Sequence, residues 1–296
     1  MNKSKIQKPI YAKKSFGQNF LVDRNYIDKI ISALNLQTGE TIIEIGAGRG
    51  ALTEKLIESG ANVLAIELDR DLIPLLQSKF GDYENFRLIE SDALEIDFQK
   101  AVSQEINNQS PDAYSQSKLV ANLPYNISTA ILQKLTEQRE TFSEMILMFQ
   151  REVVERITAK VGNSERGFLT VLTEAYLEAE KLFDVPPNAF RPVPKVWSSV
   201  VRLKPKDKVS IVNQRLFRQI VSLAFMQKRK TIFNNLKNAE FENISKANLD
   251  WLEILKAANV ESAKRAESLY LEDWENIYFA IENFVTATNK SPKDIK

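Results

Sequence analysis

The chain has 296 residues, 44% of them hydrophobic, with 40 lysines and arginines against 39 aspartates and glutamates, and neither cysteine nor histidine. That length exceeds an ordinary single domain, so one large and one small domain are expected, and the apolar content suffices for a sizeable core. The missing residue types exclude disulfides, thiolate zinc sites, cysteine nucleophiles, imidazole bases and histidine-ligated metals, which leaves carboxylates, amides, tyrosines, lysines and positioning to carry any chemistry.

From the N-terminus, Met1 to Asn19 is polar and dotted with lysine, without the apolar core of a secretory signal. No run in the chain approaches the ~18 apolar residues of a membrane span, so a cytoplasmic location with no membrane partner is expected. Ile27, Ile30, Ile31 and Leu34 recur at helical spacing within Asn25 to Leu36. The β-branched run Thr41 to Ile45 reads as a buried strand, and it breaks into Gly46-Ala47-Gly48-Arg49-Gly50. Helices at Ala51 to Ser59 and Arg70 to Phe80 then alternate with strands at Asn62 to Ile66 and Phe86 to Ile89. The stretch Ser103 to Ser117, rich in Ser, Gln and Asn, reads as a surface loop. A strand at Lys118 to Ala121 runs into Asn122, and a helix follows from Ser128 to Arg139 with Ser128 as its N-cap. Beyond it come a strand at Glu144 to Phe149, helices at Arg151 to Ala159 and Gly167 to Leu177, and closing strands at Lys181 to Val185 and Ser198 to Leu203. Alternation of this kind predicts an α/β fold whose mostly parallel sheet is covered by helices on both faces, with ligands at the carboxyl ends of the strands. After a linker near Lys204 to Ser210 the period is helical throughout, through Leu216, Ile220, Ile232, Leu236, Leu252, Leu255, Trp274 and Ile281. The expected organisation is therefore a domain over residues 1–205 and a small all-helical domain over residues 206–296.

The net charge of +1 hides an uneven distribution. Lys3, Lys5, Lys8, Lys13, Lys14 and Arg24 lie near the N-terminus, Arg191, Lys195, Arg202, Lys204, Lys206 and Lys208 form a second cluster, and Lys228-Arg229-Lys230 a third. One such cluster often does no more than solubilise a surface. Three together read as a phosphate-backbone footprint, and so as nucleic acid binding.

Four kinds of polar apparatus fall at the ends of four strands: the glycine turn, Glu67, Asp92, and Asn122-Leu123-Pro124-Tyr125. Glycines at a helix start allow close backbone approach and leave amides for polar ligand groups. An acid about twenty residues on is placed for ribose hydroxyls, a pairing also found in nicotinamide-dependent dehydrogenases. Acids after strands also cap helices, and Asp69 is the candidate for that role. The Asn-Leu-Pro-Tyr box, which elsewhere would be an ordinary turn, combines an amide, a carbonyl whose direction proline stiffens, and a ring on which a planar base can stack.

The segments Ser15-Phe16-Gly17-Gln18-Asn19-Phe20-Leu21-Val22-Asp23, Glu44 through Thr53, Asn122 through Ser128, Phe190-Arg191-Pro192-Val193-Pro194-Lys195-Val196 and Lys228-Arg229-Lys230-Thr231 occur in one order. Together they resemble the ribosomal RNA adenine dimethyltransferase family, and most of all its small-subunit branch. Ala47 departs from the proline that many members carry in the glycine turn.

The resemblance implies a Rossmann-like methyltransferase fold, S-adenosylmethionine as cofactor, no metal, and dimethylation at N6 of two adjacent adenosines near the 3′ end of small-subunit ribosomal RNA. The small ribosomal subunit is then the partner, and a monomer the expected state. For the cofactor it implies Asn19, Leu21, Gly46, Gly48, Glu67, Asp92 and Asn122, with Asp92 on the adenine amine and the N-terminal segment as a lid. The acceptor amine falls to Asn122, Leu123, Pro124 and Tyr125, with Phe190 closing the opposite face unless it is a core aromatic. Arg191, Lys195, Lys228, Arg229 and Lys230 are the expected RNA contacts. A relative acting on large-subunit RNA, a noncatalytic RNA-binding protein on the same fold and a dehydrogenase remain as alternatives at this level.

Overall fold

The computed structural model describes residues 12–13, 17–105, 117–124, 126–239 and 249–289, so Tyr125, the N-terminal lysines before Lys13 and most of the polar loop lie outside the described residues. The chain divides into two compact units, residues 1–154 with 179–205 and residues 155–178 with 206–296. Residues 155–178, which the sequence reading groups with the first domain, thus belong to the second unit.

The first unit holds strands β1 (Phe20–Leu21), β2 (Thr41–Ile45), β3 (Asn62–Glu67), β4 (Phe86–Glu90), β5 (Ser117–Asn122) and β6 (Phe142–Gln150). Between them run α1 (Arg24–Leu34), α2 (Ala51–Glu58), α3 (Ile73–Phe80), α4 (Phe98–Glu105) and α5 (Ser128–Glu137). After α6 (Arg151–Ile157) and α7 (Phe168–Tyr176) come β7 (Leu177–Val185), β8 (Phe190–Arg191) and β9 (Ser198–Pro205). The main sheet has the order β4-β3-β2-β5-β6-β9-β7, and β1 pairs with β8 in a separate two-stranded ribbon. Strands β2 to β6 run parallel, and β9 returns antiparallel to β6.

Local chemistry accounts for the boundaries. Asp23 caps α1 by accepting from the Asn25 amide at 2.9 Å, and Asn35 ends the helix in the left-handed region at φ 43°. Ile27, Ile30 and Leu34 turn inward and pack with Ile42, Val63, Val120, Ile146 and Met148, the residues of one pleat face. The alternate residues Ile43, Leu64, Leu119, Met145 and Leu147 are equally buried, as expected of strands covered on both faces. Ser128 does not cap α5. The N-cap position is Ile127, and Ser128 is the first residue inside the helix, buried at 3% exposure. The chain leaves β2 toward β3 and β4 on one side and reaches β5 on the other, so the topological switch point lies between β2 and β5.

In the second unit, α8 (Gln214–Ala224), α9 (Ile232–Leu236), α10 (Trp251–Ala257) and α11 (Leu271–Asn289) follow, with no strand after Pro205 among the described residues. Arg166 is wholly buried there and makes two hydrogen bonds to Glu174, at 2.7 and 2.6 Å, and one to the Leu269 carbonyl at 3.1 Å. The Phe217 ring meets those of Tyr176 and Tyr278 edge to face. In α10 it is Trp251, Ile254 and Leu255 that turn inward, leaving Leu252 at 54% exposure. No helix among the described residues is long and apolar enough to cross a membrane.

Candidate active site

Parallel register brings the ends of β2, β3, β4 and β5 to one sheet edge, where Ile45 aligns with Ile66 and Ala121, and Glu67 with Glu90. A cavity opens there, walled by Gly46 and Gly48, by Glu67 and Asp69, by Ser91, Asp92 and Ala93, by Asn122, Leu123 and Pro124, and by Gly17 to Phe20. Of the residues assigned from sequence, it gathers Asn19, Gly46, Gly48, Glu67, Asp92, Asn122, Leu123 and Pro124.

The glycine turn is shaped by what its residues lack. At Gly48, φ is +59° and a Cβ would stand 3.1 Å from the Phe20 ring. At Gly50, the N-cap of α2, φ is +84° and a Cβ would come within 2.4 Å of Phe80. Side chains are therefore excluded by both conformation and space. The Arg49 guanidinium lies 4.6 Å above the Phe20 ring, where a cation meets the negative face of the aromatic.

Glu67 is the keystone of this turn. Its Oε2 accepts from the Gly48 amide at 2.8 Å, and its Oε1 accepts from the amides of Leu68 and Asp69, both at 2.9 Å. Burial raises its pKa, and these three amides oppose the rise without cancelling it. A second carboxyl, Glu44, stands behind the turn at 1% exposure, with the Thr53 hydroxyl donating to it at 2.6 Å. Desolvation pushes Glu44 up to about 7, the Thr53 hydrogen bonds acting against that and the charge of Glu67 adding to it. Sequence reading assigned Glu44 no role beyond its place in the motif.

Asp69 does more than cap. Its Oδ1 accepts from the Asp71 amide at 3.0 Å, as a helix-start acid should, but the same carboxylate also receives Lys13 Nζ at 2.5 Å and Gln18 Nε2 at 2.7 Å. Burial alone would raise the Asp69 pKa, and the bonds from Lys13 and Gln18 outweigh it and hold the carboxyl below its ordinary range. Sequence reading placed Lys13 in a basic cluster, Gln18 in the N-terminal motif and Asp69 at a helix start, and separations of 51 and 56 residues kept the clasp itself from view. Asp92 likewise combines two duties, since Oδ1 accepts from the Leu94 amide at 2.9 Å while the residue lines the cavity.

On the opposite wall, Asn122 Nδ2 donates to the Asn19 carbonyl at 3.0 Å. This bond fixes which end of the amide is which, and leaves Oδ1 as the acceptor it can offer a ligand. The Leu123 amide donates to the Met148 carbonyl at 3.2 Å, anchoring the box to β6. Gln18 and Asn19 thus tie the N-terminal segment to both sides of the cavity.

Two assigned residues are not brought to this cavity. Leu21 pairs with Phe190 in the β1–β8 ribbon and lines a neighbouring concavity beside Arg24 and Arg49. Phe190, at 1% exposure, is packed into the core with Ile27, Met148 and Val200, so its ring has no open face for a ligand and the core reading describes its placement. Arg191, Lys195 and Lys228-Arg229-Lys230 are exposed. Arg202 and Lys204 are instead occupied with Glu144, and Arg202 also with Glu180, which explains that part of the basic cluster structurally.

The chain matches the family described as ribosomal RNA adenine dimethylase over residues 10–276. It is 39% identical over 268 residues to the ribosomal RNA small subunit methyltransferase A of Hahella chejuensis, covering 90% of this chain and 91% of that one. It is 42% identical over 262 residues to the protein of that name from Pseudomonas putida, covering 88% and 91%. Among solved structures, a dimethyladenosine transferase from Plasmodium falciparum aligns with a TM-score of 0.74 at 26% identity, over 90% of this chain and 98% of that one. The 23S rRNA methyltransferase ErmE, at 24% identity and a TM-score of 0.63 over 89% and 100%, shares the fold. With the motifs, the sheet-edge cavity and these likenesses in agreement, the chain belongs to the ribosomal RNA adenine dimethylase family.

Proposed function

We propose that this protein transfers methyl groups from S-adenosylmethionine to N6 of two adjacent adenosines near the 3′ end of small-subunit ribosomal RNA, dimethylating each. The observation that carries the reading is the Asn122 amide, its nitrogen held by the Asn19 carbonyl, in one cavity with the glycine turn, Glu67 and Asp92. The donor set fits the cofactor. Gly46 and Gly48 admit close backbone approach, Glu67 Oε2 keeps an acceptor site for a ribose hydroxyl, and Asp92 offers a carboxylate oxygen to the adenine amine. When bound, S-adenosylmethionine supplies a methyl group already activated on a sulfonium.

The residues of the chain then have only to present the acceptor. The exocyclic amine of adenine is a weak nucleophile because its lone pair is delocalised into the ring. Asn122 Oδ1 and the Leu123 carbonyl each accept one N–H, which turns the lone pair toward the methyl donor, and Pro124 fixes the direction of that carbonyl. Tyr125, outside the described residues, is the ring on which the extruded base stacks. No general base is needed before transfer, since the cationic product releases its proton afterwards. That requirement suits a chain with no histidine.

In this reading residues 1–154 and 179–205 form the catalytic domain with its N-terminal lid, and residues 155–178 and 206–296 an RNA-binding domain. Arg191, Lys195, Lys228, Arg229 and Lys230 meet RNA phosphates, and the protein works as a cytoplasmic monomer. Incubating unmodified small subunits with labelled S-adenosylmethionine and mapping the product tests it. Label at two adjacent dimethyladenosines is the expected result, and label only on large subunits would overturn it.

A further inference from the structure

Trp197 is an oddity of composition and place. Of the three tryptophans, Trp251 and Trp274 are buried at 4% and 0% exposure, whereas Trp197 is 44% exposed. It ends the segment that runs from β8 to β9, in which Val193 and Val196 are also exposed, and from Pro186 to Trp197 the only charges are Arg191 and Lys195. An indole left in water beside two exposed valines gains nothing by burial. The Arg151 guanidinium lies 6.0 Å from the indole centroid, and the Arg151 amide donates to the Trp197 carbonyl at 2.9 Å, so the ring is held on a framed backbone.

Register locates the backbone of this residue relative to the cavity. Asn122 aligns with Met148, and Met148 with Val200, so Trp197 lies three residues beyond that row, past the same sheet edge. With strands roughly 4.8 Å apart and roughly 3.3 Å of rise per residue, the Trp197 backbone stands about 14 Å from that of Asn122. That is within the reach of a short run of nucleotides leaving the cavity.

We propose that Trp197, in a segment that also carries Arg191 and Lys195, is a stacking platform for an unpaired nucleobase of the RNA beside the target adenosine. The inference rests on the function proposed above and adds to it a specific contact outside the cofactor cavity. Its chemistry is that of single-strand binders, in which an aromatic face takes the base and nearby cations take the phosphates. Positive charge without an intervening acid favours RNA over an acidic-poor protein surface as the occupant.

The exposed indole is its own reporter, because a stacked base quenches tryptophan fluorescence and the two buried indoles are shielded. A single-stranded oligoribonucleotide containing two adjacent adenosines is titrated into the full chain. Saturable quenching in the wild type, lost in Trp197→Phe, is expected. Trp197→Ala should weaken binding of the oligonucleotide roughly five- to a hundredfold, the span one stacked base supplies, with cofactor affinity unchanged. In methyl transfer to small subunits, the same variant should raise KM while kcat holds. Absence of quenching in the wild type overturns the platform, as does quenching that survives Trp197→Phe. Quenching by whole small subunits but not by RNA alone would assign the surface to a ribosomal protein instead and likewise overturn it. A wild type that methylates small subunits, with Trp197→Ala equal to it in KM, sinks the platform alone. A wild type that quenches but transfers no methyl group sinks the proposed function alone.

Discussion

Glu44→Gln isolates the electrostatic strain built into the glycine turn. Glu44 is 1% exposed, its hydrogen bonds come from Thr53, and burial lifts its pKa from 4.5 to about 7. Between those two values the native chain holds a proton that the unfolded chain has released. Stability therefore falls as pH rises through this window and levels off above about 7. The span between the two values, at about 1.36 kcal/mol per unit, places the loss on the order of 3 kcal/mol. Glutamine keeps an acceptor for the Thr53 hydroxyl and cannot ionise, so it stands in for the protonated acid at every pH. Hydrogen exchange of the β2 amides, corrected for the intrinsic pH dependence of exchange, reports on the first unit alone. The stability difference between variant and wild type should be smallest near pH 5 and grow in favour of the variant by about 3 kcal/mol toward pH 8. Titrating groups that do not couple to Glu44 cancel in that difference. A difference that stays level from pH 5 to pH 8 would refute the reasoning, because it would mean that Glu44 is solvated or paired when ionised.

Three further outcomes follow from the same geometry. Asn122→Ala should lower the methyl-transfer rate on the order of 10²- to 10³-fold, by analogy with removing one preorganised polar group from an active site. Its cofactor affinity, measured by calorimetry, should fall far less than the rate, and near-normal turnover would remove Asn122 from the mechanism. Asp69→Ala removes the carboxylate shared by Lys13 and Gln18, leaving Lys13 its pair with Asp71 at 2.6 Å, and should weaken cofactor binding on the order of tenfold, the worth of a charge-assisted bond. Because the Asp69 pKa is depressed, the clasp is present above 3.8, the ordinary value for the group, and is lost as pH falls through the lower value it has when folded. Cofactor affinity of Asp69→Ala equal to wild type at neutral pH would show that the clasp is ornamental. Reversing Lys228, Arg229 and Lys230 to glutamate should abolish tight rRNA binding, spare the cofactor, and reduce the steepness of the log affinity against log salt plot by about two units. An unchanged salt slope would place the phosphate contacts elsewhere.

What the sequence revealed followed from periodicity and from groups that act near their own position. β2 is legible at its observed bounds, Thr41–Ile45, because a β-branched run broken by glycine has one reading. The α4 helix escaped because its first turns precede a polar tract that masks their period, and the β1–β8 ribbon escaped because two-residue strands have no period at all. Ser128 shows the limit of cap signals. A serine at a helix start is also at home one position inside, and the backbone decides between the two. Phe190 was ambiguous for a physical reason, since an aromatic that stacks on a ligand and one that fills a core read alike until burial is known.

The deepest difference concerns capacity. A carboxylate has about four lone-pair sites, and in Glu67 three are taken by the amides of Gly48, Leu68 and Asp69. A Glu67 that accepts from both ribose hydroxyls, as the spacing alone suggested, has room for one of them. Either the second hydroxyl finds another partner, or one of the three amides gives up its bond when the ligand enters. Oε2, which receives only the Gly48 amide, keeps the one site left for a hydroxyl, the others being spent on holding the turn. Asn122 is committed in the same manner on the other wall, since one N–H of its amide is given to Asn19 and its oxygen is left as the acceptor. In both side chains the polar atom committed to the fold determines which atom remains for the substrate.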